Sequence, residues 1–203
     1  AGVVYVDLKD QSLSDLSPLV ELPRLKYVHL DRSSVDDLSG LAELRNLEKL
    51  SLANTGVTDI TPLSSLKSLS GLILDHSQVT DLTPLASLTG LEQLSLYGTL
   101  VDDAAPLATL TNLRVLDCGG TQVDDFTPLC ELSSLEVLQL DGVQLRDLSP
   151  LKDMAHLKSL RLSGTEVTDL SPLDELHNLK DLILNGTRVS DLSPLKIGRA
   201  SCR

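Results

Sequence analysis

A unit of 22 residues recurs along this chain without an insertion, and one aspartate marks its register in every unit. The aspartates are Asp15, Asp37, Asp59, Asp81, Asp103, Asp125, Asp147, Asp169 and Asp191. A fixed period of this length predicts a solenoid, in which each unit forms one coil and stacks on the next. Because one coil alone leaves apolar surface open on both sides, the stability of the chain must come from the stacked array.

Each coil repeats the same spacing of leucines, which Leu47, Leu50, Leu52, Thr55 and Val57 show complete. These residues predict one short parallel β-strand per coil, with neighbouring strands about 4.8 Å apart. The segment after the aspartate reads Leu-Ser/Thr-Pro-Leu in most coils. We expect it to start a short helical turn, with the hydroxyl as the cap and proline at the first helical position. Strands of roughly four residues would put strand content near 20%, with little helix.

The leucine frame resembles the leucine-rich repeats of bacterial internalin-type proteins, whose 22-residue units end in a similar Asp-Ile/Leu-Ser-Pro-Leu. The resemblance covers residues 3–195 and implies an α/β leucine-rich-repeat solenoid, a curved right-handed stack of about nine coils. It places a parallel β-sheet on the concave face, and turns with short 3₁₀ segments on the convex face. It also implies that the concave sheet binds a protein partner, as part of a larger bacterial cell-surface or secreted protein. Thr or Ser stands where that family usually carries a ladder of asparagines.

The repeat also sets the expected domain boundaries. We expect residues 1–195 to form a leucine-rich-repeat solenoid fragment without caps at either end. Residues 196–203 abandon the repeat, and their sequence resembles the translation of a sequencing-adapter read-through. We interpret this tail as an artefact rather than as part of the native protein.

The net charge of −12 bears on the class of partner. Nucleic acids and anionic membrane surfaces are bound by clusters of Lys and Arg, so we expect neither as a ligand. Membrane insertion is not expected either, because no apolar stretch reaches the roughly 18 residues of a membrane span. The charge favours a basic or neutral protein ligand, and we expect a monomer in the full-length context.

Motifs for catalysis, cofactors or metals are not found in the sequence, so we expect a protein without cofactor that is not an enzyme. Cys118 occupies a strand leucine position and is interpreted as a small buried hydrophobe, while Cys130 and Cys202 lie on the return path and in the tail. The aspartate column is a candidate calcium site. We favour the alternative that each aspartate accepts backbone N–H groups of the following turn.

Three outward columns of residues lie between the inward leucines of the strands and vary from coil to coil. A fourth column follows each strand and holds Gly98, Gly120, Gly142, Gly164 and Gly186, which predicts a turn with positive φ. Its earlier members include Arg32, whose retention there is a hint of function. The predicted partner-binding patch consists of Tyr27, His29, Asp31, Arg32, Asn54, Ile73, Asp75, His76 and Tyr97. Ordinary solvated surface is the competing interpretation.

Two departures from the frame predict local packing. Ala104 replaces the usual leucine or isoleucine, and we expect the ring of Phe126 in the next coil to fill the space that it leaves. Val143 replaces the usual Thr or Ser, so any ladder of hydroxyl groups must lack one link there.

Three functional classes agree with these features. We favour a partner-binding module located outside the cell or on the bacterial surface. The alternatives are a cytosolic regulatory scaffold and a substrate-targeting arm of a larger enzyme.

Overall fold

The computed structural model describes residues 2–13 and 15–195, and these form one continuous stack of coils. The nine strands are β1 (Tyr5–Asp7), β2 (Tyr27–His29), β3 (Lys49–Ser51), β4 (Gly71–Ile73), β5 (Gln93–Ser95), β6 (Val115–Asp117), β7 (Val137–Gln139), β8 (Ser159–Arg161) and β9 (Asp181–Ile183). The 3₁₀ segments of the return path are Ser17–Glu21, Ser39–Leu41, Thr61–Ser65, Thr83–Ser87, Ala105–Thr109, Thr127–Glu131, Ser149–Leu151, Ser171–Leu173 and Ser193–Leu195. The predicted tail at residues 196–203 lies outside the described residues.

The strands form a single parallel sheet in chain order, from β1 to β9. Every pairing is offset by one repeat, as where Leu72 of β4 lies opposite Leu94 of β5. This confirms the predicted solenoid and its register. The strands have three residues rather than the expected four, because the chain turns soon after each one.

The turn after each strand has the predicted backbone conformation. All nine residues of the fourth column have positive φ, from Asp10, Arg32, Asn54 and His76 to the five glycines. After β2, the N–H of Ser33 donates to the carbonyl of Leu30 at 3.1 Å, which closes a four-residue turn with Arg32 in third place. A type II turn requires a left-handed residue at that place, and glycine and asparagine fit it best.

The core is a stack of aliphatic side chains from the leucine frame, buried from Leu16 to Leu176. Cys118 is 1% exposed, which confirms it as a small buried hydrophobe, and burial raises the pKa of its thiol. Ala104 and Phe126 are both buried, at equivalent positions of adjacent coils. That the Phe126 ring fills the space beside Ala104 stays a prediction.

The aspartate column caps the 3₁₀ segments. In each coil one carboxylate oxygen of the aspartate accepts the backbone N–H of the residue two positions on, at 2.8 Å, as Asp59 does from Thr61. The predicted cap by the Ser or Thr hydroxyl is therefore wrong, because no hydroxyl caps the segments whose ends are described. Ala105 has no hydroxyl and still donates the same N–H bond, to Asp103.

The Thr and Ser residues of the inner turn do not form a ladder between coils. Thr55, Thr99, Thr121, Thr165 and Thr187 each donate their hydroxyl to the carbonyl three residues earlier in the same coil, at 2.7–2.8 Å. Val143 therefore removes a bond within its own coil and does not interrupt a chain of bonds between coils.

Candidate partner-binding face

The concave face is defined here by the three outward columns of the nine strands. The first column is Tyr5, Tyr27, Lys49, Gly71, Gln93, Val115, Val137, Ser159 and Asp181; the second is Asp7, His29, Ser51, Ile73, Ser95, Asp117, Gln139, Arg161 and Ile183; the third is Lys9, Asp31, Ala53, Asp75, Tyr97, Gly119, Asp141, Ser163 and Asn185. All are exposed or half-buried except Ser51, Gly71 and Gly119. The residues that vary between coils thus reach solvent, while the frame leucines between them are buried.

The first part of the predicted patch is already engaged in contacts within the chain. The Tyr27 hydroxyl donates to Glu48 at 3.1 Å, and the His29 ring meets Tyr5 edge to face with centroids 5.4 Å apart. Asp31 accepts the Ser51 hydroxyl and, at 3.1 Å, the N–H of Ala53. Contacts with neighbouring coils fix these side chains, so this part of the face is ordered without a bound partner.

Arg32 has a partner in the preceding coil. Its Nε and Nη2 donate to the two carboxylate oxygens of Asp10 at 2.7 and 2.9 Å. The hydrogen bond from Arg32 is the main reason that the pKa of Asp10 is lowered. This bidentate pair gives a structural reason for keeping arginine at a φ of 56°. Asn54, one coil further on, is exposed at a φ of 57°.

The second part of the patch is built around an aromatic pair. His76 and Tyr97 pack edge to face, with centroids 5.2 Å apart and an interplanar angle of 88°. Asp75 accepts the Ser95 hydroxyl at 2.5 Å and the N–H of Tyr97 at 3.1 Å, and so fixes the backbone that carries the ring. Ile73 of β4 and Tyr97, two residues after β5, are large apolar side chains that are each 41% exposed.

The structure places all nine predicted residues on or just after four consecutive strands, β2 to β5. It also brings Gly98 against the His76 ring and Gly119 against the Tyr97 ring, with Asp117 beside Gly119, and the sequence prediction missed these three residues. The available signal was position, because Gly119 follows Tyr97 in the third column. The predicted patch was chosen for its large side chains, so it left out the glycines beside them.

The concave face is acidic. Its three columns carry Asp7, Asp31, Asp75, Asp117, Asp141 and Asp181 against Lys9, Lys49 and Arg161, a net charge of 3 − 6 = −3. Arg161 donates to Asp141 at 2.6 Å. Desolvation raises the pKa of Asp117, and the nearby charges of Asp75 and Asp141 raise it further.

The edge of the sheet before the strands carries ion pairs between coils. Glu136 accepts hydrogen bonds from Arg114 at 2.6 Å and from Lys158 at 2.7 Å. Arg114 and Glu136 line a groove together with Glu92 and His156. Among the described residues no cluster of His, Cys, Asp and Glu is arranged to hold a metal ion. None of the described helices is long and apolar enough to cross a membrane.

Comparison with known proteins identifies the fold. The model for Leucine Rich repeats (2 copies) matches residues 45–87 and 155–197. Among solved structures, the chain is 34% identical to an internalin of Listeria monocytogenes (inlF). The match includes 90% of this chain and 54% of the inlF chain, with a TM-score of 0.86. A leucine-rich repeat protein of Leptospira interrogans is 24% identical over 93% of this chain and 50% of that one, with a TM-score of 0.83, and shares the fold. No curated protein matches the chain.

A second Listeria monocytogenes protein, internalin C2, establishes the family. It is 32% identical to this chain. The match includes 90% of this chain and 81% of internalin C2, with a TM-score of 0.87. Identity and fold thus agree over most of the length of both chains. The protein belongs to the bacterial leucine-rich repeat proteins of the internalin type.

Proposed function

We propose that this solenoid binds a protein partner on its concave face, as part of a larger bacterial cell-surface or secreted protein. Leucine-rich repeat proteins such as the internalins act in protein–protein interaction. The chain spans 54% of the inlF chain, so any partner of a longer protein that contains this solenoid is part of the proposal. We propose that the chain acts by binding rather than by catalysis, on a basic or neutral partner, and as a monomer in its full-length context.

The observation that carries the proposal is that each strand alternates between buried inward residues and outward residues that reach solvent. The inward leucines of adjacent coils are buried, whereas the outward residues form one exposed surface that continues across nine strands. Aromatic side chains stand on this surface, in the pairs Tyr5–His29 and His76–Tyr97. Aromatic and arginine side chains contribute most to the free energy of protein interfaces, and residues held in place lose less entropy on binding.

The proposed patch is tested with a double variant, Tyr27→Ala with Arg32→Ala. Partner proteins recovered with the immobilised full chain are identified, and their affinity for each variant is measured by calorimetry. We expect the double variant to lose at least about tenfold in affinity, as for interface residues that each contribute more than about 1 kcal/mol. The change at Arg32 should alter unfolding little, since exposed ion pairs contribute little to stability, and thermal unfolding checks that the double variant is folded.

Arg45→Ala is the matched control, because it removes the same charge from the return path, where Arg45 pairs with the exposed Glu43. It should leave the affinity unchanged. Equal affinity of the wild type and the double variant would reject this patch. Loss of affinity in the Arg45→Ala variant alone would place the interface on the other side of the solenoid.

A further inference from the structure

The ring of Tyr97 is seated on a glycine in the middle of the concave face. A Cβ atom on Gly119 would lie 2.9 Å from Tyr97 Cδ2 and 3.1 Å from Cε2, so the ring occupies space that any other residue would need. The His76 ring meets Tyr97 edge to face and itself lies over Gly98, where a Cβ would be 2.5 Å from His76 Nδ1. Gly119 and His76 thus contact the Tyr97 ring, and Gly98 leaves room for the His76 ring, while 41% of Tyr97 stays exposed.

The carboxylate of Asp117 borders the same spot. Its Oδ1 would lie 3.1 Å from a Cβ on Gly119, and it accepts the N–H of Gly119 at 2.8 Å. Across the described part of the chain, this is the only hydrogen bond to the Asp117 carboxylate, and no cation lies within ion-pair distance of it. Burial raises its pKa, and the charges of Asp75 and Asp141 add to this effect. A nearby cation would favour the charged form of this carboxylate.

Acidic side chains predominate around this spot. From β4 to β7, the outward columns carry three charged residues, Asp75, Asp117 and Asp141, and all are acidic. The nearest outward base, Arg161 of β8, donates to Asp141 at 2.6 Å. Its charge lowers the pKa of Asp117, but among the described residues it forms no hydrogen bond or ion pair with that carboxylate. A partner with a positive charge at this place would therefore be electrostatically complementary to the face.

We propose that an arginine or lysine side chain of the protein partner binds at this spot, stacked against Tyr97 and paired with Asp117. The proposal rests on the proposed function, because it names the chemistry of the partner that the same face receives. The face of an aromatic ring attracts cations, and a guanidinium can stack on a ring while it donates to a carboxylate. The ring already packs against Gly119 and His76, so less side-chain entropy is lost when such a group binds.

The inference is tested on the full chain with two short peptides. The probe is acetyl-Gly-Arg-Gly-amide, and its neutral counterpart carries citrulline in place of arginine. The backbone amide signal of Gly119 in ¹⁵N NMR spectra is the reporter, because this N–H donates to Asp117. We expect the arginine peptide to shift this signal with a Kd in the millimolar range, and the citrulline peptide to bind at least about tenfold more weakly, since charge-assisted bonds are the stronger ones.

Two variants locate the effect. Asp117→Asn preserves the shape of the side chain and Tyr97→Leu preserves an apolar side chain, and each should raise the Kd of the arginine peptide about threefold to tenfold. Asp181→Asn is the control, because it removes the same charge from β9, at the far end of the face. Thermal unfolding of each variant checks that it is folded.

The outcomes separate this inference from the proposed function. Equal shifts with the arginine and citrulline peptides, or an unchanged Kd in the Asp117→Asn variant, would overturn the basic side chain at this spot. A protein partner that binds the concave face without depending on Asp117 would also overturn it, and would leave the proposed function standing. If the arginine peptide binds as expected but partner binding is unchanged in every concave-face variant, the proposed function fails, and the assignment of this site to a side chain of the partner fails with it.

Discussion

At the scale of single residues, one methyl group decides whether a buried hydroxyl in the inner turn finds a partner. Thr55 and Thr99 donate to the carbonyl three residues earlier, but the hydroxyls of Ser33 and Ser77 are buried and have no partner among the described residues. Threonine is restricted about χ1 by its branched Cβ, whereas serine can turn its hydroxyl away from the carbonyl. A buried polar group without a bond is destabilising.

The variant Ser77→Thr should therefore stabilise the protein. We expect a gain of about 1–2 kcal/mol in the free energy of unfolding, from one recovered hydrogen bond and one buried methyl group. Denaturant unfolding measures it, with Thr99→Ser as the control that should lose a similar amount. A destabilised Ser77→Thr variant would show that the coil has no room for the methyl group.

Phe126 is the residue for which packing predicts the largest effect. It is 2% exposed and lies one repeat after the small residue Ala104, which is equally buried. Phe126→Ala should cost about 3–5 kcal/mol, as for other buried rings. The double variant Ala104→Leu with Phe126→Leu should restore much of the stability that Phe126→Leu alone loses. A cost below about 1 kcal/mol for Phe126→Ala, measured by denaturant unfolding, would contradict the idea.

At the scale of the element, the aspartate turn at the start of each 3₁₀ segment is the repeated device. Asp59, Asp81 and Asp125 each accept the N–H of the threonine two residues on at 2.8 Å. The side chain of that threonine and then its N–H lower the pKa of each carboxyl. Each pKa is thus lower in the folded chain than the roughly 3.9 of an unfolded aspartate. The stability that these turns contribute is full above that pH and is lost as the pH falls through the folded pKa.

Replacing these three aspartates by asparagine should flatten the acid side of the stability profile. Because asparagine keeps the acceptor and cannot ionise, we expect a lower Tm than the wild type at pH 7 and a smaller fall in Tm between pH 6 and pH 3. The control replaces three exposed neighbours that accept no hydrogen bond among the described residues, namely Asp36, Asp102 and Asp124. A pH profile of the turn variant parallel to that of the wild type would show that the carboxylate charge is irrelevant to these turns.

At the scale of the element, the sequence predicts the backbone but not the contacts between side chains of different coils. The period fixed the parallel register, the outward columns and the positive φ after each strand, because all of these are backbone properties that repeat. The prediction that each aspartate accepts the N–H of the following turn is confirmed, whereas the hydroxyl cap was wrong. The period did not predict the pair between Arg32 and Asp10 or the contact of Tyr97 with Gly119. These depend on which side chains meet across coils, and so on rotamers that no repeat specifies. For the candidate site, sequence therefore located the face and did not reveal the contacts within it.

At the scale of the whole molecule, the solenoid is held together by contacts between neighbouring coils. In the described residues, each strand and each 3₁₀ segment contacts only its counterparts in adjacent coils. The leucines of the last strand, such as Leu182 and Leu184, are only half-buried, whereas Leu94 in the middle is 1% exposed. Such a quasi-one-dimensional arrangement gives a rigid, extended surface whose outward residues can vary without disturbing the core.

Thiol reactivity across one strand tests the central claim, that residues alternate between a buried frame and an exposed binding face. Single cysteines replace Gln93, Leu94 and Tyr97 in a chain whose own Cys118, Cys130 and Cys202 are changed to alanine or serine. We expect the cysteines at 93 and 97 to react with a thiol reagent within a few-fold of the rate in the unfolded chain, because both positions are exposed. The cysteine at 94 should react only through unfolding, and so at least about a thousandfold more slowly. Protection at 93 and 97, or fast labelling at 94, would contradict the account.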